Sequence, residues 1–287
     1  MGRIDLHAHT TASDGTLTPV ELVRLALDGG VEVLAVTDHD TVAGVAPALE
    51  AAAVTGLRVL PGVELSALYS GGSLHLLGYG FDPAAAGLDV RLHALTMGRE
   101  ERARAIVRLL AELGVPLSWD RVAALAQGAV GRPHIARALV AAGYARDVSD
   151  AFTRFIGEGR PAYLPSGRLS VAEAISLVRE AGGEVALAHP LLPAKPLDLA
   201  RLLPELRDAG LTGIEVYHSE HDAAATERLR RLADSQGLWW TGGSDFHGPS
   251  KPAAQLGAVP VPPEVLDQGP FPAALRASLR KQGRPNG

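Results

Sequence analysis

The chain has 287 residues, 47% of them hydrophobic, enough to bury a large core as one barrel-sized domain or as a barrel carrying an insertion, with no room for a second enzyme module of ordinary size. It contains no cysteine, so disulfides, iron–sulfur clusters and thiolate ligands are excluded and any metal must be held by nitrogen and oxygen. A net charge of −5 argues against a nonspecific surface for duplex DNA, which needs Lys and Arg to neutralise phosphates.

The opening residues MGRIDLHAHT lack an apolar stretch of signal-peptide length, and no run approaches the roughly 18 apolar residues of a membrane span, so a cytoplasmic protein without a membrane partner is expected. A short apolar strand, Ile4 to Leu6, leads into a polar loop. Thr18 as N-cap, Pro19 at the first helical position and Glu21 three residues after the cap then predict a helix that ends at Gly29-Gly30. Val31 to Val36 is apolar apart from Glu32, as expected of a strand buried over most of its length; a helix from Val45 to Val54 and a strand from Arg58 towards Glu64 follow. This rhythm predicts a parallel sheet with helices outside.

Gly72 to Gly80 reads as a strand with glycine-rich edges. From Val90 to Leu113 the spacing turns helical, and no parallel strand is recognisable up to Arg168. The chain therefore divides into a barrel, 1–97 and 169–287, and a helical insertion, 98–168, expected to act as a substrate lid. That insertion holds 11 Arg, no Lys and 7 acidic residues, net +4, which leaves −9 on the rest of the chain. The rhythm resumes with a helix from Val171 to Ala181, a strand from Glu184 to Ala188, a helix from Leu199 to Ala209 and a strand from Gly213 to Tyr217. A helix from Ala223 to Gln236 and a strand from Leu238 to Gly242 complete it, and the Pro-rich tail from Pro260 ends in a short helix near Ala273 to Arg280.

Six of the ten histidines, His7, His9, His39, His75, His189 and His247, lie in or just after these apolar strands. Sites in barrels and open α/β sheets assemble at the carboxyl ends of parallel strands. A single histidine there is ordinarily a hydrogen-bonded structural residue; six together are not. His7 and His9, two apart on extended chain, point to one face and can chelate one ion. Asp14, in Ser13-Asp14-Gly15, would pass for a turn aspartate if it stood alone. Thr37-Asp38-His39-Asp40 puts three ionisable groups after a largely apolar strand, with His39 the ligand candidate and Asp38 or Asp40 available either to orient an imidazole or for a structural role. Glu64 ends its strand as a carboxylate suited to bridging two ions, and Asp245 and His247 repeat the two-residue spacing.

The ordered set His-Ala-His, Thr-Asp-His-Asp, Pro-Gly-Val-Glu, Leu-His, Gly-Arg-Pro-His, Ala-His-Pro and Gly-Ser-Asp-Phe-His resembles the PHP phosphoesterase family over essentially the whole chain. Within that family it is most similar to the bacterial branch acting on nucleoside 3′,5′-bisphosphates and short 5′-phosphorylated oligonucleotides. The resemblance implies a distorted (β/α)7 barrel and two or three divalent ions, manganese first, with zinc, iron or magnesium compatible. It implies a first ion on His7, His9, Glu64 and Asp245, a second on Glu64, His75 and His189, and a third on Asp14, His39 and His247. It also implies that Arg132 and His134, in Gly131-Arg132-Pro133-His134, contact a substrate phosphate, Arg132 through paired hydrogen bonds. Without the resemblance, Arg132 reads as a solvated residue and His134 as part of a helix's first turn. Arg160 and Lys251 are weaker candidates, and His93, His218 and His221 are read as lying outside the ligand set, although His218 follows a strand.

Two ions about 3.5–4 Å apart can acidify a bridging water and clamp the attacking and leaving oxygens of an in-line displacement, so hydroxide attack at phosphorus is expected, with Glu64, Arg132 and His134 as the catalytic set. No G-x-S-x-G motif offers a protein nucleophile. The competing readings are a histidinol-phosphate-type small-molecule phosphatase and a non-catalytic metal-binding accessory protein.

Overall fold

The computed structural model describes residues 2–70, 72–126, 128, 130–164, 169–192 and 197–275. Strands β1 (Arg3–Asp5), β2 (Val31–Val36) and β3 (Arg58–Tyr69) run parallel; β4 (Gly72–Tyr79) is antiparallel to both β3 and β6 (Glu184–Leu187). Strands β7 (Gly213–His218) and β8 (Trp239–Gly243) continue the parallel order from β6, and the two-residue β5 (Leu169–Ser170) lies against β3. The chain segments that continue β1 and β8 then pair with each other. Leu6 N–H donates to Gly242 O at 3.1 Å, Asp245 N–H to His7 O at 2.9 Å and His9 N–H to Phe246 O at 2.9 Å. Seven strands thus form a closed ring, the distorted (β/α)7 barrel expected from the sequence.

Two departures from the expected parallel sheet matter for the site. Strand β3 does not stop at Glu64 but continues to Tyr69, because β4 folds back on it with Glu64 opposite Leu77 and Ser66 opposite His75. Parallel pairing between β2 and β3 ends at Val36 and Pro61, so Glu64 still sits just past the end of the parallel part of its strand. An apolar period of two cannot say which way a neighbour runs; the short connection at residues 70–71 dictates an antiparallel pair.

Helices α1 (Pro19–Asp28) and α2 (Val45–Ala52) cover one side of the barrel. The capping box of α1 forms as expected: Glu21 N–H donates to Thr18 Oγ1 at 3.2 Å while Thr18 N–H donates to Glu21 Oε2 at 2.8 Å. The long α3 (Leu88–Glu112) begins on the barrel, where Leu88 and Leu92 join the main core, and continues into a second core built from Ala103, Ile106, Leu110, Val122, Ile135 and Leu139. That second core is completed by α4 (Trp119–Ala123), α5 (Arg132–Ala141), α6 (Val148–Ala151) and a π-helical turn at Phe152–Ile156. After α7 (Val171–Glu180), α8 (Leu199–Asp208) and α9 (Ala223–Gln236), residues 271–275 are helical; the remainder of the helix expected near Ala273 to Arg280 lies outside the described residues. No described helix is long and apolar enough to cross a membrane.

Closure of the barrel depends on a close approach at Gly243. A Cβ there would lie 2.3 Å from His7 N and 2.7 Å from Asp5 Oδ1, inside van der Waals contact with backbone that cannot yield. Gly243→Ala is therefore expected to destabilise the fold by about 1–3 kcal/mol and to displace His7, checked by denaturant unfolding.

Candidate metal centre

Nine side chains expected to be ligands converge at the carboxyl end of this barrel, seven of them on the floor of one cleft of about 1260 Å³ and two, His7 and His9, buried beneath it. The two-residue spacing after β1 brings His7 Nε2 and His9 Nε2 to 3.1 Å of each other. Both face Glu64 Oε2, at 3.3 and 3.1 Å, and Asp245 Oδ1, at 3.4 and 3.3 Å. An ion with four ligand bonds of about 2.0–2.1 Å separates neighbouring donor atoms by about 3.3–3.4 Å. These five separations, 3.1–3.4 Å, are thus close to those of a tetrahedral ligand set, and imidazole with carboxylate is the donor chemistry of divalent transition metals.

Two further groups adjoin it. Glu64 Oε1 lies 2.7 Å from His75 Nδ1 and 2.9 Å from His189 Nε2, while His39 Nδ1 approaches Glu64 Oε2 at 3.2 Å. Asp14 meets His247 Nε2 at 3.3 Å, His39 Nε2 at 3.8 Å and His9 Nδ1 at 3.8 Å. The ring of His39 therefore stands between the second and third groups, and that of His9 between the first and third, where the family pattern assigns each to one. Nδ1 of His9 is buried without a hydrogen-bond partner, as a nitrogen directed at a cation position would be.

Burial alone would push Glu64, Asp14 and Asp245 towards the neutral acid, yet the surrounding imidazoles outweigh it and hold all three well below the usual carboxylate range. Burial likewise opposes charge on His7 and His9; Glu215, Asp245 and Glu64 nevertheless raise His7 well above the ordinary histidine value, and hydrogen bonds to Asp245 and Glu64 push His9 up to about 10. At His39 burial prevails and the ring is held well below that value.

The residues that orient the ligands are largely not those expected. Asp40 accepts from Ser66 N–H at 2.8 Å and from Arg99 Nε, and Asp38 accepts from Thr10 N–H and Ser13 Oγ at 2.7 Å; neither orients an imidazole. That task falls to Glu215, wholly buried inside β7, whose Oε1 lies 2.9 Å from His7 Nδ1 and whose Oε2 accepts the His189 N–H at 2.7 Å. A glutamate in the apolar stretch Gly213-Ile214-Glu215-Val216 was the available signal, since burying a carboxylate is costly unless it is paired. Lys251 Nζ donates to Asp245 Oδ2 at 2.6 Å, and His218 Nε2 stands 3.5 Å from the same oxygen, which leaves Oδ1 for the first group.

Above the cluster, the insertion lines the cleft with Arg99, Arg102, Arg132, Arg137 and Arg160. Arg132 donates to Ile156 O at 3.4 Å and lies over the rings of Phe152 and Tyr163, at 5.5 and 5.7 Å. His134 is 1% exposed, beneath the cleft wall. Its Nδ1 accepts the Gly131 N–H at 3.0 Å, and burial lowers it to about 4, so the ring is neutral with its proton on Nε2.

The sequence model of the PHP domain matches residues 5–141. The chain is 37% identical to the 5′-3′ exoribonuclease Rnm of Salmonella typhimurium, over 88% of this chain and 87% of that protein. It is 34% identical to the 3′,5′-nucleoside bisphosphate phosphatase of Chromobacterium violaceum, over 90% and 91%. A solved structure from Bifidobacterium adolescentis, assigned as a metal-dependent phosphoesterase, superposes with a TM-score of 0.85 at 35% identity and covers 97% of this chain and 96% of that one.

Two outcomes follow from the electrostatics. The raised His7 and His9 contribute stability that is complete below about pH 6.5 and lost as pH rises through their folded-state values, about 10 for His9. The depressed carboxylates contribute stability above about pH 4, lost on acidification through their folded-state values. Metal binding has the opposite slope to the histidines, because the rings must first shed their protons. Chelated protein should therefore melt at falling temperature between about pH 7 and 10, while metal-reconstituted protein holds or gains, as read by thermal denaturation. Glu215→Gln should weaken metal affinity by about 10- to 100-fold, measured by competition with a chelator.

Proposed function

The chain belongs to the PHP domain family of metal-dependent phosphoesterases, and on that premise we propose that it is a cytoplasmic enzyme releasing phosphate from nucleoside 3′,5′-bisphosphates and from short 5′-phosphorylated oligonucleotides. The observation that carries this reading is the opposition, across one cleft, of a buried imidazole–carboxylate floor and an arginine-lined wall. A cleft of about 1260 Å³ exceeds what a small phosphate ester fills and suits a ligand with a second phosphate and a base.

In this reading His7, His9, Glu64 and Asp245 hold one ion, Glu64, His75 and His189 a second, and Asp14, His39 and His247 a third. Bound divalent ions, manganese foremost, would supply Lewis acidity at the phosphoryl oxygens and an acidified water. The protein's own groups do the rest. Glu64 is shaped to bridge, since its two oxygens face different sets of rings. Arg132 presents a planar donor array to the equatorial phosphate oxygens, its orientation fixed by Ile156 O and two aromatic faces. His134, neutral with the proton on Nε2, would donate a hydrogen bond without adding charge. Residues 98–168 would serve as the lid that selects for the additional phosphate.

Phosphate release from a panel containing a nucleoside 3′,5′-bisphosphate, a 5′-phosphorylated oligonucleotide and histidinol phosphate, after restoring each metal to stripped protein, tests this directly. The first two should be preferred, and metal removal should abolish turnover of both. Preference for histidinol phosphate would indicate the small-molecule phosphatase, and metal binding without turnover an accessory protein. Arg132→Ala should lower kcat/KM on the bisphosphate by about 10- to 100-fold, the loss of one charge-assisted hydrogen-bonding group. Unchanged activity in that variant would remove Arg132 from the reaction.

A further inference from the structure

Arg99 occupies a place that no ligand or phosphate-contact assignment covers. It lies on α3 between Leu92, which packs in the barrel core, and Ala103, which packs in the insertion core. Its Nε donates to Asp40 Oδ2 and its Nη2 to Ser66 Oγ at 2.8 Å. Its third nitrogen, Nη1, lies near the start of α5, where a methyl group built on Gly131 would be in ordinary van der Waals contact with it at 3.7 Å. Each neighbour is one or two residues from the chemistry. Asp40 follows His39, Ser66 lies two residues after Glu64, and Gly131 precedes Arg132 and donates its N–H to His134 Nδ1.

The partner of Arg99 is itself rigidly held. Asp40 is 3% exposed and has a φ of 54°, a conformation rarely adopted by a residue with a side chain. It is held there because its N–H donates to Glu64 O at 2.9 Å and its Oδ1 accepts from Ser66 N–H at 2.8 Å. A guanidinium can meet a carboxylate and a hydroxyl at once because its five donors lie in one rigid plane; an ammonium can replace its charge but not its reach.

We propose that Arg99 is a positioning residue that holds the insertion, and with it the Gly131–His134 turn, at a set separation from the metal-ligand cluster: Asp40 and Ser66 hold its guanidinium on the barrel side, and α3, which carries it, packs with α5 in the insertion core. The effect on catalysis rests on the nucleotide-phosphatase reading above; the brace itself does not. Loosening it would leave both halves of the site intact but misaligned, a fault that costs about 100-fold when reacting groups shift by an ångström.

The test uses full-length, metal-loaded protein and the variants Arg99→Ala, Arg99→Lys, Ser66→Ala and Asp40→Asn, each alone and combined with Arg132→Ala. Metal content, melting temperature and bisphosphate kinetics are measured for all. Arg99→Ala is expected to keep its full metal content and lose about 100-fold in kcat/KM. Once Arg132 is already absent, removing Arg99 should cost less than about threefold more, because the two act as a unit. Arg99→Lys should recover the melting temperature but not the turnover, and Ser66→Ala and Asp40→Asn should show smaller losses of the same kind. Multiplicative losses in the double variant would overturn the proposal in favour of direct, independent substrate contact, and full recovery of turnover by Arg99→Lys would overturn it in favour of simple charge compensation. Wild-type protein inactive on the bisphosphate would instead sink the substrate reading. In that case the brace is judged by binding of inorganic phosphate to the metal-loaded protein, where undiminished affinity in Arg99→Ala would overturn it too.

Discussion

Five imidazoles converge on the two oxygens of the buried Glu64 carboxylate: His7, His9 and His39 at Oε2, His75 and His189 at Oε1. A carboxylate this far from water is costly unless cations or donors surround it, and five rings can surround it only if their strands meet in a ring. The barrel's closure, the fold-back of β4 that delivers His75 and the burial of Glu215 behind His7 are all conditions for that meeting. Polar groups nearby support the same arrangement: Asp5 accepts the backbone N–H groups of His7, Ser244 and Gly257, and Lys251 donates to Asp245.

Much of this was legible in the sequence, for reasons that can be named. His7-Ala8-His9 fixes two rings on one face by the period of extended chain, and Thr18 with Glu21 fixes the start of a helix by local hydrogen bonding; neither needs long-range information. The direction of β4 was not legible, since alternation is the same in parallel and antiparallel strands, and so Glu64 was expected to end its strand when it lies inside a longer one. Asp38 and Asp40, open in the sequence to orienting an imidazole or to a structural role, bind backbone and hydroxyl donors and Arg99. Glu215 is far from His7 along the chain, and only its cost of burial marked it. Arg99 carried no mark at all, being one of several arginines on a helix whose two ends serve different cores.

Backbone strain follows the same map. Among the described residues the non-glycine positions with positive φ are Asp40, His189 and Asp245, at 54°, 24° and 55°, each at the site. Such conformations persist only where surroundings over-determine them. Asp40 is tied to Glu64 and Ser66, His189 donates its N–H to Glu215, and Asp245 donates its N–H to His7 O. The hydrogen bonds that aim the ligands are the same ones that hold these bends.

The seam between β1 and β8 also sets when the centre can exist. Residues near the two ends of the described chain, His7 and His247, contribute to it, and Asp245 binds the backbone of His7 directly. During synthesis the histidine pair of the first strand emerges long before the aspartate and histidine of the last, so the full ligand set forms only when the ring shuts. On the proposed assignment, metal capture would be a late event in folding, and the long loop that must close before it would place the cost of that closure in the folding rate. An ion that entered earlier would meet only a fragment of the set and hold it loosely, which makes a fully loaded centre the signature of a chain that has finished folding.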